Sequence, residues 1–397
     1  MKKKISVVSS ACNEDDNVKS VNQEVREQVL KLPKFKNIEF LRFASISVLV
    51  YFHLVQVFIS RNITGYIPLE FLSQNAYILV EFFFILAGFF LHFDIQKYKD
   101  ISFYAQKRFL RLWFVPAFAI LLSIISAPFI KYIIVNYVNS LLSVLFLNNI
   151  GLTNSVSNSV HTWYVCVLFW ISLFYFCLFK LFDRKKVIFF TVIIIYISYV
   201  TIFQKLKGNF GSFETVVYGF LTVGMIRGIA GLGLGLIMGM IYEKYIFNFA
   251  GNNRKTSMFY SVIFSIAEIL ILFILGNLLV FKVWKINNDF IFVPLFSILI
   301  WLFLIKKGIV SKLLENKVSD FLGKFSYSIF VMQGYLIVLF YTVFEANFKQ
   351  LIIEQRFLTL VIGYIFAVCG GIIVYYLIEK PSSNWCKNKF LNNGVQK

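Results

Sequence analysis

The chain contains only three histidines, and His53 stands deep inside an apolar run, eleven residues after Arg42. At 1.5 Å per residue a helix carries the imidazole about 16 Å beyond the guanidinium. Histidine takes and returns a proton near neutral pH, so a histidine in such a run is a candidate general base. The alternative is a buried histidine bonded to a backbone carbonyl. Glu81 is the second ionisable group in apolar surroundings, heading the run Glu81-Phe82-Phe83-Phe84-Ile85-Leu86-Ala87-Gly88-Phe89. A carboxylate there needs a donor, and His53 across a short hairpin is the nearest one; the alternative is an interfacial glutamate solvated by water. Ionisable groups inside a span are costly unless paired or hydrated, which makes both residues functional candidates.

Arg108 and Arg111 follow in Tyr104-Ala105-Gln106-Lys107-Arg108-Phe109-Leu110-Arg111-Leu112-Trp113, read as the first inside loop. Three residues apart, they share one face if that loop is helical. Two guanidinium forks so placed can clamp a phosphate bidentately, which a lysine point charge does less well. The alternative is that they anchor a helix end. His161, just before Trp163, is placed to reach an external substrate, whereas His92 reads as structural.

The elements that must position these groups are membrane helices. Of the 397 residues 59% are hydrophobic and only 15% charged, and mean hydropathy is +0.75. A soluble chain carries roughly 25% charge. The composition therefore predicts an all-α polytopic membrane protein and excludes a soluble enzyme, a secreted module and a disordered scaffold. The net charge of +19 sits in short basic runs between apolar spans, the pattern that orients a membrane protein rather than one that binds nucleic acid.

A spanning helix needs about 20 apolar residues. Ten such segments are expected, at 41–60, 76–96, 112–130, 161–181, 187–204, 223–242, 257–281, 288–305, 325–345 and 357–378. Most of the 39 basic residues then fall on one side, which predicts both termini in the cytoplasm and a multi-pass protein of the cell inner membrane. Arg227 counts among the few at outside segments or span edges. Between Lys131 and His161 the apolar run Leu141–Leu147 is too short to span, so an outside loop with an interfacial or re-entrant helix is expected. Gly224, Gly228, Gly231, Gly235 and Gly239 recur along one helical face, where small residues let a neighbouring helix approach. Cys12, Cys166, Cys177, Cys369 and Cys386 form no CxxC pair, and neither a disulfide framework nor a zinc site is indicated.

Residues 1–37 form a polar leader whose stretch Lys3–Val18 resembles the opening strand and nucleotide loop of a family 2 glycosyltransferase. It is too short to bind a sugar nucleotide alone. A membrane domain is expected over 38–381 and a basic cytoplasmic tail over 382–397.

Taken in order, these pieces resemble the acyltransferase 3 family, integral-membrane enzymes that O-acylate surface polysaccharides and related acceptors. Arg42 and His53 meet its arginine, ten residues, histidine signature. Glu81 to Phe89 corresponds to its acidic-Phe-Phe-x-x-x-Gly-Phe stretch, Arg108 and Arg111 to its Arg-x-x-Arg loop, and Trp163-Tyr164 to the start of its Trp-led span. Leu322-Gly323-Lys324-Phe325-Ser326-Tyr327-Ser328 looks like its Leu-Gly-Lys-x-Ser-Tyr-Ser element, and Glu379-Lys380-Pro381 like its closing motif. Two positions depart from it. Val165-Cys166-Val167-Leu168-Phe169 lacks the glutamate often found in the Trp-led span, and Gln333 stands where a histidine is usual.

The resemblance implies transfer of an acyl group, with acetyl the expectation, from cytoplasmic acyl-CoA to a hydroxyl of a cell-surface or lipid-linked glycan. Acyl-CoA would be a co-substrate, with no bound cofactor and no metal. Arg42, Arg108 and Arg111 would hold it. His53 would act as general base, or carry the acyl group itself, and Glu81 would orient the imidazole. His161, Trp163, Ser326, Tyr327, Gln333 and Glu379 are candidates for substrate contact or structural support. Two other readings stay open. A lipid-linked sugar transporter or flippase would show paired repeats and broken helices, and spans 1–5 and 6–10 show neither. An inactive scaffold of a glycan-assembly complex would fit the missing glutamate and Gln333.

Overall fold

The computed structural model describes residues 34–60, 75–130, 135–152, 161–247, 258–280 and 289–394. The leader up to residue 33, Cys12 and the glycosyltransferase-like stretch within it, and residues 153–160 of the Ser/Asn-rich segment lie outside the described residues.

The chain runs through α1 (Lys36–Ser60), α2 (Leu79–Gln96), α3 (Ile101–Ser126), α4 (Tyr137–Val144), α5 (Thr162–Leu181), α6 (Arg184–Leu206) and α7 (Val223–Ile241). It continues through α8 (Met258–Val280), α9 (Phe292–Ile305), α10 (Ile309–Leu313), α11 (Lys317–Gly323), α12 (Ser326–Glu354), α13 (Arg356–Val374) and α14 (Lys380–Gly394). The only strands among the described residues are Val216–Val217 and Leu221–Thr222, a two-stranded antiparallel hairpin before α7. The protein is therefore an all-α polytopic membrane protein.

Nine helices among the described residues are long and apolar enough to cross a membrane. The tenth expected span, 288–305, is the shorter helix Asp289–Ile305. It opens with a 3-10 turn at Asp289–Ile291, and Lys306 ends it by adopting φ 56°, the left-handed region. α13 runs through a π-turn, Tyr375–Glu379, directly into α14. A proline inside a helix removes one backbone bond and clashes with the preceding turn; here the π-turn ends at Glu379, two residues before Pro381. The region expected to be re-entrant holds α4, only eight residues long, started by Asn136, whose side chain accepts from the Asn139 amide.

The bundle is ordered by what each helix buries. α2 and α7 form its centre, each with 78% of its most apolar window buried, whereas α6 and α8 bury 28% and 22%. Phe189, Tyr196 and Phe203 on α6, and Phe259, Ile266 and Phe273 on α8, are exposed at seven-residue intervals. That is one apolar face per helix turned outward, as a hydrocarbon solvent requires. At the centre the glycine face of α7 lets the α2 backbone in: a Cβ on Gly235 would stand 1.8 Å from the Ile85 carbonyl oxygen. Lipid supplies no hydrophobic drive for helix association, so such backbone contact is what holds the pair.

Candidate active site

α1 places Arg42 near its start and His53 about 16 Å further along. His161 sits at the N-terminal boundary of α5, yet its side chain does not cap that helix. Its Nε2 lies 2.8 Å from Nε2 of His53, one nitrogen donating and the other accepting. The two rings are 4.5 Å apart and inclined at 72°. His161 is buried and His53 is partly buried. α12 walls the pair: Phe330 packs edge-on to His161 with ring centres 5.5 Å apart. Gly334 lets the helix come this near, since a Cβ there would be 2.9 Å from His161 Nδ1. That Nδ1 is buried with no hydrogen-bond partner among the described residues.

Glu81 is not the partner of His53. It is fully buried and accepts from the Tyr199 hydroxyl at 3.0 Å and from Arg227 Nε at 3.4 Å. Arg227 also donates from Nη1 to the Phe210 carbonyl at 2.6 Å, and its guanidinium lies over the Phe210 and Trp163 rings. The reason is helical periodicity. Glu81, Ile85 and Gly88 recur at i, i+4 and i+7, so they share one face of α2. That face is the one drawn onto the glycines of α7, and the carboxylate travels with it toward Arg227.

Arg227 is the residue that the sequence reading missed. Counted at a span edge, it is buried inside the bundle with 1% of its surface exposed. A signal existed: an arginine on a small-residue face must meet a carboxylate from the helix that packs there. Trp163 stacks on Phe213 with ring centres 4.5 Å apart. Val165 to Phe169, where relatives often carry a glutamate, are all buried. His92 pairs with Glu243 at 2.9 Å, apart from the His53 pair.

The arginine pair lies not in a loop but within α3, which starts at Ile101 because the Asp100 carboxylate accepts from the Phe103 amide. Arg108 donates to Ser172 Oγ at 3.0 Å, lies 3.8 Å from Asp94, and has a buried Nε with no partner among the described residues. Arg111 is exposed. Arg42 donates to both oxygens of Glu39, at 3.0 and 2.8 Å. The three arginines converge on one region. Arg42 and Arg111 both lie within electrostatic range of the Glu379 carboxylate, Arg42 and Arg108 of the Tyr164 side chain, and Arg108 and Arg111 of the Tyr327 side chain. Glu379 accepts from Ser328 Oγ at 2.5 Å, and Tyr327 donates to the Leu112 carbonyl at 2.6 Å.

Ser328 and Gly334 share α12, about 9 Å apart along its axis by helical rise. One end of the site is thus cationic and the other carries the imidazole pair. Two buried groups near this wall lack partners among the described residues: the Ser326 hydroxyl and both amide atoms of Gln333. Among the described residues no three His, Cys, Asp or Glu side chains converge as a metal would need.

Fold and site together define a polytopic membrane protein that holds a histidine pair and a cluster of arginines among its helices. A family model described as an acyltransferase domain, Acyl_transf_3, matches residues 35–376, and the chain belongs to this acyltransferase 3 family. It is a membrane acyltransferase. No curated protein and no solved structure matches the chain.

Proposed function

We propose that the protein moves an acyl group, acetyl in the first instance, from acyl-CoA to a hydroxyl of a cell-surface or lipid-linked glycan. The observation that carries this reading is the layering of the site, with three arginines converging at one end and His53 at the other. The CoA phosphates meet Arg42, Arg108 and Arg111 at the cytoplasmic face. The pantetheine arm then rises along α1 and α12 and brings the thioester to His53. Arg42 and Arg108 already have carboxylates beside them, whereas Arg111 is exposed and is the arginine freest to take a phosphate.

At the thioester, the acceptor hydroxyl oxygen attacks the carbonyl carbon while His53 takes its proton. The carbon–sulfur bond breaks, the thiolate leaves, and the imidazolium returns the proton to sulfur. Glu81 with Arg227 holds α2 against α7 behind this centre. Both termini lie on the cytoplasmic side of the inner membrane in this reading, so donor and acceptor enter from opposite ends. Mass spectrometry of surface glycans from cells with and without the gene tests it. The account expects an ester-linked acyl group to vanish with the gene; unchanged glycan acylation in the deletion strain contradicts it.

A further inference from the structure

We propose that His161 is the positioning partner of His53, doing in this membrane site what the carboxylate does for the histidine of a hydrolytic triad. The proposal rests on the acyltransferase reading above and adds a second histidine to it. A buried neutral histidine is commonly satisfied by donating its one N–H to a backbone carbonyl, and no such bond holds His161 among the described residues. It leaves its helix uncapped, its Nδ1 has no partner among the described residues, and its hydrogen bond goes to His53 at 2.8 Å. Two helices hold it there: the start of α5 carries it, and α12 packs Phe330 on its ring and gives the room at Gly334.

The proposal assigns one tautomer: His161 Nε2 accepts, His53 carries its hydrogen on Nε2, and His53 Nδ1 keeps its lone pair for the substrate. That lone pair takes the proton of the attacking hydroxyl, and the positive charge that results is shared with His161 across the Nε2–Nε2 bond. When the carbon–sulfur bond breaks, Nδ1 returns the proton to the CoA thiolate, so both rings end neutral. No oxidant or further reactant enters. Glu81, the group expected in this role, is committed to Arg227 and Tyr199.

The test uses the full-length protein in lipid nanodiscs, labelled acetyl-CoA, and membranes of a deletion strain as the source of acceptor. His161→Phe fills the ring's space without a nitrogen, and His161→Ala leaves a hole. The account expects both to lose about 100-fold in kcat with KM for acetyl-CoA unchanged, and added imidazole to restore transfer to His161→Ala alone. A merely structural ring predicts that Phe serves better than Ala and that imidazole does nothing. His161→Phe turning over within a few-fold of wild type would overturn the proposal and leave the acyltransferase reading intact. Failure of the wild type to transfer label at all would overturn that reading instead.

Discussion

Breaking the Glu81–Arg227 pair from one side should destabilise the protein, and breaking it from both sides should restore much of the loss. The two groups are 3.4 Å apart with 2% or less of either side chain exposed. Removing one partner of a buried pair leaves an uncompensated charge, at a cost of about 3–5 kcal/mol, whereas replacing both by apolar groups is often neutral or better. Arg227→Met leaves Glu81 with the Tyr199 hydroxyl alone, and Glu81→Leu leaves Arg227 with the Phe210 carbonyl alone. A double-mutant cycle on the purified protein, read by thermal unfolding in detergent, should therefore show a favourable coupling of roughly 3 kcal/mol or more. The double variant should also recover acyl transfer that Arg227→Met loses. The reasoning is refuted if Glu81→Leu/Arg227→Met melts no higher than the single variants. A double variant that folds as wild type yet is inactive would place Glu81 in the chemistry and not in the scaffold.

Three other perturbations follow from the same geometry. Gly334→Ala puts a methyl 2.9 Å from His161 Nδ1, so the ring or α12 must yield; displacements of this order cost on the order of 10²-fold in rate, visible as a lower kcat at normal protein levels. Arg111→Lys keeps the charge but loses the planar fork. A lost charge-assisted contact is worth about 1.5–3 kcal/mol, so KM for acetyl-CoA should rise at least about tenfold with acceptor dependence unchanged, whereas a wild-type KM would return Arg111 to anchoring. Orientation is read without substrate in a cysteine-free background. A cysteine at exposed Ser212 should react with an impermeant thiol reagent on intact cells, and one at exposed Ser102 only after permeabilisation; the reverse pattern would invert the proposed topology.

The helices were legible because length and hydropathy are local properties. Every expected span has a helix, and only Asp289–Ile305 falls short of the length of the other nine. What hydropathy could not read was which face meets which. It averaged Arg227 into a span edge and gave Glu81 to His53, because nothing in a single helix says that α2 turns its Glu81 face to the glycines of α7. The glycine spacing carried half of that answer, since it marked α7 as the helix that others approach closely. The start of α3 was also recoverable. Asp100 stands at its head as a capping residue, which would have set Arg108 and Arg111 on a helix from the outset. The pairing of His53 with His161 joins residues 108 positions apart. Spacing along the chain has no access to that, although both residues were singled out as candidates for separate reasons.

The central claim is that the imidazole end of this site is where an acyl group passes from a thioester to a hydroxyl. The most direct measurement is transfer of label from acetyl-CoA to acceptor-bearing membranes of a deletion strain, by purified wild-type protein and by His53→Ala. The account predicts labelled glycan with wild type, none above a few per cent with His53→Ala, and normal insertion of the variant. Transfer at wild-type rate by His53→Ala would contradict it.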